Sequence, residues 1–187
     1  MPGAVLPPEP STPREIFRHY LRDLVYGAND GIITTFAVVA GVTGADLATG
    51  TILILGIANL FADGVSMGAS NYLSIRSDEA ARAAEGRGQV EPHAHRHGIA
   101  TFLAFLVAGA VPLVAYLVPV APTSRFPLAT AFTLLTLFGV GALRTLVTAR
   151  GWGRSGLEML VVGAVAAAIA YTVGGIIARL TGVRGVG

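Results

Sequence analysis

The chain has 187 residues, of which 53% are hydrophobic and 13% are charged, whereas an average soluble domain is roughly 25% charged. Mean hydropathy is +0.66 and the apolar residues come in long blocks, so we predict an integral membrane protein. The lack of cysteine excludes disulfides and thiol chemistry. The basic residues, all arginine, lie between apolar blocks, and we therefore expect no nucleic-acid partner.

The N-terminal segment divides into a tail and an amphipathic stretch. Residues 1–13 are rich in proline, lack the basic and apolar regions of a signal peptide, and are predicted to be a disordered tail. Thr12 can cap a helix that has Pro13 at its first position. Residues 14–23 are amphipathic, so we expect them to lie at the membrane surface before the first span.

Five apolar segments follow, each close to the roughly 20 residues that a helix needs to cross a membrane. The predicted spans are residues 24–42, 51–75, 98–118, 126–147 and 157–178. Alternating ten-residue strands are not visible, so the predicted fold class is all-α. We expect a single five-helix transmembrane domain over residues 14–187.

Arginine placement predicts how the spans are oriented. Ten arginines fall in the N-terminal segment, in the connection at residues 76–97 and in the connection between the fourth and fifth spans, whereas three fall on the opposite side. The positive-inside rule then puts the N-terminus in the cytoplasm and the C-terminus outside. In a prokaryote, the protein would lie in the inner (cell) membrane.

The connection at residues 76–97 is predicted to be cytoplasmic and to continue the second helix as far as Gly86 or Gly88. Its end carries four side chains that could capture a metal ion: Glu91, His93, His95 and His97. A solvated, partly protonated loop end at the lipid surface is the alternative interpretation.

Polar groups inside the first two spans are the main functional signal, because a charged residue at membrane depth costs at least about 2.5–3.5 kcal/mol. With a helical rise of about 1.5 Å per residue, Asp23 lies at the cytoplasmic mouth, Asp30 about 10 Å deeper, and Met67 level with Asp30. A ladder of residues four apart follows one face of the second span: Asn59, Asp63, Met67 and Asn71.

Carboxylate, amide and thioether groups at a shared depth suggest a site for a divalent transition metal. Oxygen ligands alone would suit Mg²⁺ or Ca²⁺, whereas the thioether of Met67 favours borderline ions such as Fe²⁺. Asp63, near the bilayer centre, could bind or relay protons, so that metal and protons compete for one site.

Helix packing is the alternative role for several of these residues. Gly27 and Gly31, like Gly64 and Gly68, have the spacing of small-residue faces that let two helices approach closely. The asparagines could simply hydrogen-bond between helices, and a single methionine is more often a packing residue than a ligand.

At these residues the sequence resembles the vacuolar iron transporter family of Fe²⁺ and Mn²⁺ transporters. The resemblance rests on DLVYGANDGIITTFAVVAGVTGA in the first span, on ADGVSMGASNYLS in the second, and on the number and order of the spans. It implies a five-helix protomer, a homodimer with the ion path at the subunit interface, and proton-coupled export of divalent metal from the cytoplasm. Asp23 and Asp30 match the family's first-helix carboxylates, and Met67 matches its second-helix methionine.

Two features depart from the family pattern. Glutamate is common in the family where Asn59 and Asn71 stand, and Asp63 could supply a replacement charge one turn from Asn59. Iron-storing members carry a long, glutamate-rich metal-binding domain between the second and third spans, which the short connection at residues 76–97 cannot form. The chain therefore resembles a short, bacterial-type member.

Together with these residues, the resemblance implies a homodimer in lipid that exports Fe²⁺ or Mn²⁺ from the cytoplasm by proton antiport, without a prosthetic group. One alternative is a membrane carrier or channel for another small cation or solute. Another is a membrane scaffold whose polar residues only join helices. The spans carry no nucleophile–base arrangement or nucleotide motif, so we do not expect an enzyme.

Overall fold

The computed structural model describes residues 11–146 and 151–182. The α-helices are α1 (Pro13–Gly44), α2 (Thr49–Ala84), α3 (Ala94–Gly109), α4 (Val111–Leu117), α5 (Pro122–Leu143) and α6 (Trp152–Thr181), with a 3₁₀ turn at Arg144–Leu146. Because α3 and α4 form one pass, these residues contain five passes long and apolar enough to cross a membrane, and they contain no strand. The predicted all-α class and number of spans are confirmed.

The first helix begins at the predicted cap. Thr12 Oγ1 accepts a hydrogen bond from the backbone N of Glu15 at 3.2 Å, and the Glu15 carboxylate accepts one from the backbone N of Thr12. Pro13 follows, at a position where the missing N–H removes no intrahelical bond. The amphipathic stretch and the first span are one continuous helix. Most of the predicted tail, residues 1–10, lies outside the described residues.

The second helix extends beyond its predicted span and ends at Ala84, followed by Gly86 with a φ of 70°. This agrees with the predicted end of the helical extension. The chain then folds back, because the Glu79 carboxylate accepts hydrogen bonds from the backbone N of Val90 at 3.1 Å and of Glu91 at 2.8 Å. This folded-back segment holds Glu91 against the helical bundle.

The third pass is broken, whereas a continuous span was predicted over residues 98–118. The break lies between Gly109 and Val111, because Pro112 has no N–H to bond the carbonyl of Ala108. The close approach of α1 also requires glycine at this point, since a Cβ on Gly109 would lie 2.7 Å from the carbonyl oxygen of Gly31.

The helix α1 is central, and it packs against each of the other five helices. Its contact with α3 depends on Gly27 and Gly31, where a Cβ would overlap backbone carbonyl groups of α3. Gly68 of α2 and Gly98 of α3 face each other in the same way, each with the position of its missing Cβ within 2.8 Å of the other's carbonyl oxygen. The packing role predicted for these glycine faces is confirmed.

Contacts at the helix ends show how the passes alternate. The start of α1 meets the start of α3, with the rings of His19 and His97 4.9 Å apart. At the opposite end, Arg125 Nη1 donates a hydrogen bond to Thr49 Oγ1 at 3.3 Å, which joins the starts of α5 and α2. The arginine-rich segments therefore share one end of the bundle.

Large apolar side chains cover the outside of the bundle. Ile54, Val107, Leu135 and Leu180 each expose more than half of their surface. Such a surface would favour aggregation in water, whereas lipid tails solvate it. The protein is therefore an integral, multi-pass membrane protein.

Candidate metal-binding sites

A cavity of about 530 Å³ lies between α1 and α2, roughly halfway along both helices. Its lining consists of Tyr26, Asp30, Asp63, Ser66, Met67, Ser70, Asn71 and Ser74. Two carboxylates that share one cavity repel each other, and a cation bound between them would relieve the repulsion.

The helices α1 and α2 run antiparallel, so residues at equal depth from one membrane surface meet. Asp30 of α1 comes together with Met67 and Asp63 of α2, and all three side chains are half-buried. Asp30 and Met67, for which the sequence predicts one level, line the same cavity. Asn71 also lines the cavity, but Asn59, the remaining member of the predicted ladder, is outside its lining.

Asp23 lies nearer the start of α1 and is only 2% exposed. Its Oδ1 accepts a hydrogen bond from Asn71 Nδ2 at 2.8 Å, and its Oδ2 lies 2.5 Å from His97 Nδ1. Asn71 Nδ2 also lies 2.7 Å from Thr101 Oγ1. Asp23 is therefore at the predicted end of the helix, but it is enclosed rather than open at the mouth.

Three side chains that can ligate a metal converge above Asp23. Glu91 Oε2 lies 3.1 Å from His97 Nε2 and 3.4 Å from His19 Nε2. One ligand atom from each of His19, Glu91 and His97 lies within 4.8 Å of the others. Tyr20 packs against both imidazole rings, with centroid distances of 4.7 and 4.8 Å.

This group differs from the cluster expected at the loop end. Glu91 and His97 belong to it, whereas His93 and His95 lie outside it, their own rings 6.0 Å apart. Sequence reasoning missed His19, which is the ligand-forming residue contributed by α1. Its signal was the spacing of four residues between His19 and Asp23, which puts both on one helix face.

Asn71 connects the two groups, since it lines the cavity of Asp30 and Asp63 and also bonds Asp23 beneath His97. Polar side chains thus continue from the start of α1 to the middle of the bundle. Ionisable and polar groups inside a membrane protein are candidates for ion or proton pathways.

The fold and these groups define a polytopic α-helical membrane protein with ionisable residues in its interior. A sequence profile of the VIT family matches residues 21–90 and 79–175, which together make up most of the chain. The protein belongs to the VIT family.

Some relatives match most of this chain, whereas others match only a short part of it. Vacuolar iron transporter homolog 1 of Oryza sativa subsp. japonica is 30% identical over 182 residues, covering 89% of this chain and 76% of that protein. Vacuolar iron transporter 1 of Eucalyptus grandis is 25% identical over 209 positions, covering 81% and 84%. The vacuolar iron transporter of Toxoplasma gondii is 45% identical over 60 residues, which are 32% of this chain and 20% of that protein. This chain thus matches about a fifth of the length of the Toxoplasma relative.

Proposed function

We propose that this protein transports Fe²⁺ or Mn²⁺ out of the cytoplasm in exchange for protons. The observation that carries the proposal is the cavity in which Asp30, Asp63 and Met67 meet from two helices. The names of the relatives, vacuolar iron transporters, favour iron as the cargo. Family membership and an intramembrane cavity favour a transporter over an enzyme.

In this proposal, each cavity residue supplies a different property. Asp30 binds the ion through its carboxylate, and Met67 adds a thioether, which favours Fe²⁺ over Mg²⁺. Asp63 binds the ion or relays protons. Because a carboxylate must be deprotonated to bind metal, arrival of the ion displaces protons and couples the two fluxes. Asn59, beyond Asp63 toward the other surface, is proposed to contribute an amide oxygen further along the path.

A homodimer is part of the same proposal. The outer face of α2 beside the cavity carries three exposed serines, Ser66, Ser70 and Ser74. Lipid tails offer these hydroxyls no hydrogen bonds, so a second copy packed on this face would cover the polar stripe and close the cavity.

The arginine-rich end of the bundle is proposed to face the cytoplasm, with the protein in the cell membrane if the source is prokaryotic. The start of α1, the connection before α3 and the start of α6 then face the metal-supplying side. The cavity would open toward these segments when it loads.

Flux across proteoliposomes tests the proposal. Purified protein is reconstituted with a metal-sensitive dye or a pH-sensitive dye inside, and Fe²⁺ uptake and proton counterflow are recorded. Asp30→Asn removes a ligand charge and should slow Fe²⁺ flux by roughly 10- to 100-fold, the range seen when groups around a metal are lost. Asp46→Asn is the matched control, because Asp46 is an exposed carboxylate with a φ of 54°, which asparagine tolerates.

An unchanged flux in Asp30→Asn would refute the assignment of the cavity. In the wild-type protein, competition of Mn²⁺, Co²⁺, Zn²⁺ and Mg²⁺ with Fe²⁺ flux identifies the cargo. Equal inhibition by Mg²⁺ would indicate a general cation carrier. An absence of flux in the wild type, with Asp30→Asn changing only oligomer stability, would indicate a scaffold.

A further inference from the structure

We propose that His19, Glu91 and His97 form a second binding site for a divalent transition metal, at the end of the bundle where α1 and α3 begin. The three residues come from the first turns of α1, from the returning loop and from the first turn of α3. The site is separate from the cavity of Asp30 and Met67.

The distances fit a metal ion. A tetrahedral ion with nitrogen and oxygen ligands at about 2.0–2.1 Å has its ligand atoms roughly 3.3–3.4 Å apart. Glu91 Oε2 lies 3.1 Å from His97 Nε2 and 3.4 Å from His19 Nε2, so two edges of such a tetrahedron are already formed. The His19 side chain is 33% exposed, which leaves it room to complete the third edge.

The environment of the His97 ring nitrogens is the second observation. The His97 side chain is only 6% exposed, and Nδ1 faces Asp23 Oδ2 at 2.5 Å, which puts the ring proton on Nδ1. Nε2 is buried and makes no hydrogen bond within the described part of the chain, although Glu91 Oε2 is 3.1 Å away. With the ring proton on Nδ1, Nε2 and Glu91 Oε2 are both acceptors, so a cation between them would relieve an unfavourable contact, as a bound metal would do.

Asp23 fits this site as the group that orients a ligand. Metal-binding histidines usually donate their other ring N–H to a carboxylate, which sets the tautomer and makes the ligating nitrogen more basic. Asp23 provides that carboxylate, and Asn71 Nδ2 holds the carboxylate in place at 2.8 Å. Asp23 is therefore a positioning residue in this site.

Glu91 is also held in position. Its backbone N donates to the Glu79 carboxylate at 2.8 Å, and its Oε1 accepts a hydrogen bond from the backbone N of His93 at 3.3 Å. These two bonds turn Oε2 toward the histidines. The fold of the loop thus prepares the ligand set before an ion arrives.

The ligand set indicates the class of ion. Two imidazoles and one carboxylate suit Zn²⁺, Fe²⁺, Co²⁺ and Ni²⁺, whereas Mg²⁺ and Ca²⁺ prefer oxygen ligands alone. Three protein ligands leave a coordination position free for water, so an ion there can exchange. Its use as a loading site for the cavity, through Asp23 and Asn71, rests on the proposed function, but binding itself does not.

Binding to the purified full chain in detergent tests the site. Co²⁺ is titrated and followed by its visible absorption and by calorimetry, in an Asp30→Asn background that weakens the cavity. His19→Ala and Glu91→Gln should each weaken Co²⁺ binding by roughly 10- to 100-fold and reduce the absorption of histidine-bound Co²⁺. His95→Ala is the control, because His95 is an exposed histidine of the same region that does not belong to the group of His19, Glu91 and His97.

Equal Co²⁺ affinity in His19→Ala, Glu91→Gln and His95→Ala would overturn the proposal. Absence of Co²⁺ binding to the Asp30→Asn protein would overturn it too, and would indicate a protonated His97 paired with Asp23 and Glu91. Both results are independent of Fe²⁺ flux. Failure of the transport assay in the wild type would therefore refute the proposed function and leave the binding result intact.

Discussion

Asn71 Nδ2 donates a hydrogen bond to Asp23 Oδ1 at 2.8 Å and so joins α2 to α1 near the end of the bundle. The other oxygen of Asp23 faces His97, and the carboxylate is 2% exposed, so it depends on these two side chains for its hydrogen bonds. A glutamate at position 71, which the family resemblance implies as the common residue, would bring a second carboxylate to Asp23. The amide is thus the donor that this buried carboxylate requires.

Replacing this amide should destabilise the fold. Asn71→Asp leaves Asp23 Oδ1 without its donor and adds a like charge, so we expect a loss of about 1–3 kcal/mol or more. The measurement is the thermal unfolding midpoint in detergent, followed by the fluorescence of Trp152. Ser77→Ala on the same helix is the control, since Ser77 is exposed and its hydroxyl donates to the carbonyl of Leu73 within the helix, and we expect a change within about 0.5 kcal/mol. Equal midpoints for the two variants would contradict this role of Asn71.

The contact between α1 and α3 leaves no room for a methyl group at Gly31. The Cβ of Gly31→Ala would overlap the carbonyl of Phe105, so the helices must separate, at a cost of about 1–3 kcal/mol. Gly139→Ala is the matched control, because a Cβ there meets no atom within 4 Å in the described structure. In the interior of α5, it should stabilise by about 0.5–1 kcal/mol through lower chain entropy. Thermal unfolding of both variants measures the difference, and a stable Gly31→Ala protein would contradict close packing.

A substitution at Met67 can distinguish a role as metal ligand from a role in packing. Met67→Leu keeps the apolar volume, which usually costs less than about 1.5 kcal/mol, but it removes the thioether sulfur. We expect the variant to fold and to lose preference for Fe²⁺ over Mg²⁺ in the flux competition assay, because the thioether favours the softer ion. Met159→Leu, at a buried methionine that packs against Leu137 in the core, should leave the preference unchanged. Identical preferences in both variants would show that Met67 only packs.

Several features of this protein could be predicted from local sequence. Each membrane span is a long apolar run, and in lipid a helix satisfies all its own backbone hydrogen bonds, so the spans follow from composition and length. Thr12 and Pro13 predict the start of α1, and Gly86 predicts the end of α2, because these residues act on the nearest turn of backbone. Counting residues at a constant rise along two antiparallel helices predicts that Asp30 and Met67 lie close in depth, and both residues line one cavity.

Other features were decided only by tertiary packing. The apolar composition around Pro112 predicts one continuous span, but the helix breaks there. The break coincides with the close approach of Gly109 to α1. Asp23 was expected at an open mouth, but α2 and α3 enclose it through Asn71 and His97. His19 and His97 are brought together by the packing of α1 on α3, although many residues separate them in sequence.

The physical reason for this division is the range of the interactions. Burial in lipid, helix propensity and capping act on neighbouring residues, so the chain by itself determined five helical passes and the order of the polar groups along each helix. Which polar groups meet depends on how the helices rotate and approach one another. In this protein, glycines at the contacts between α1, α2 and α3 set that approach, and it brings His19, Glu91 and His97 together above Asp23.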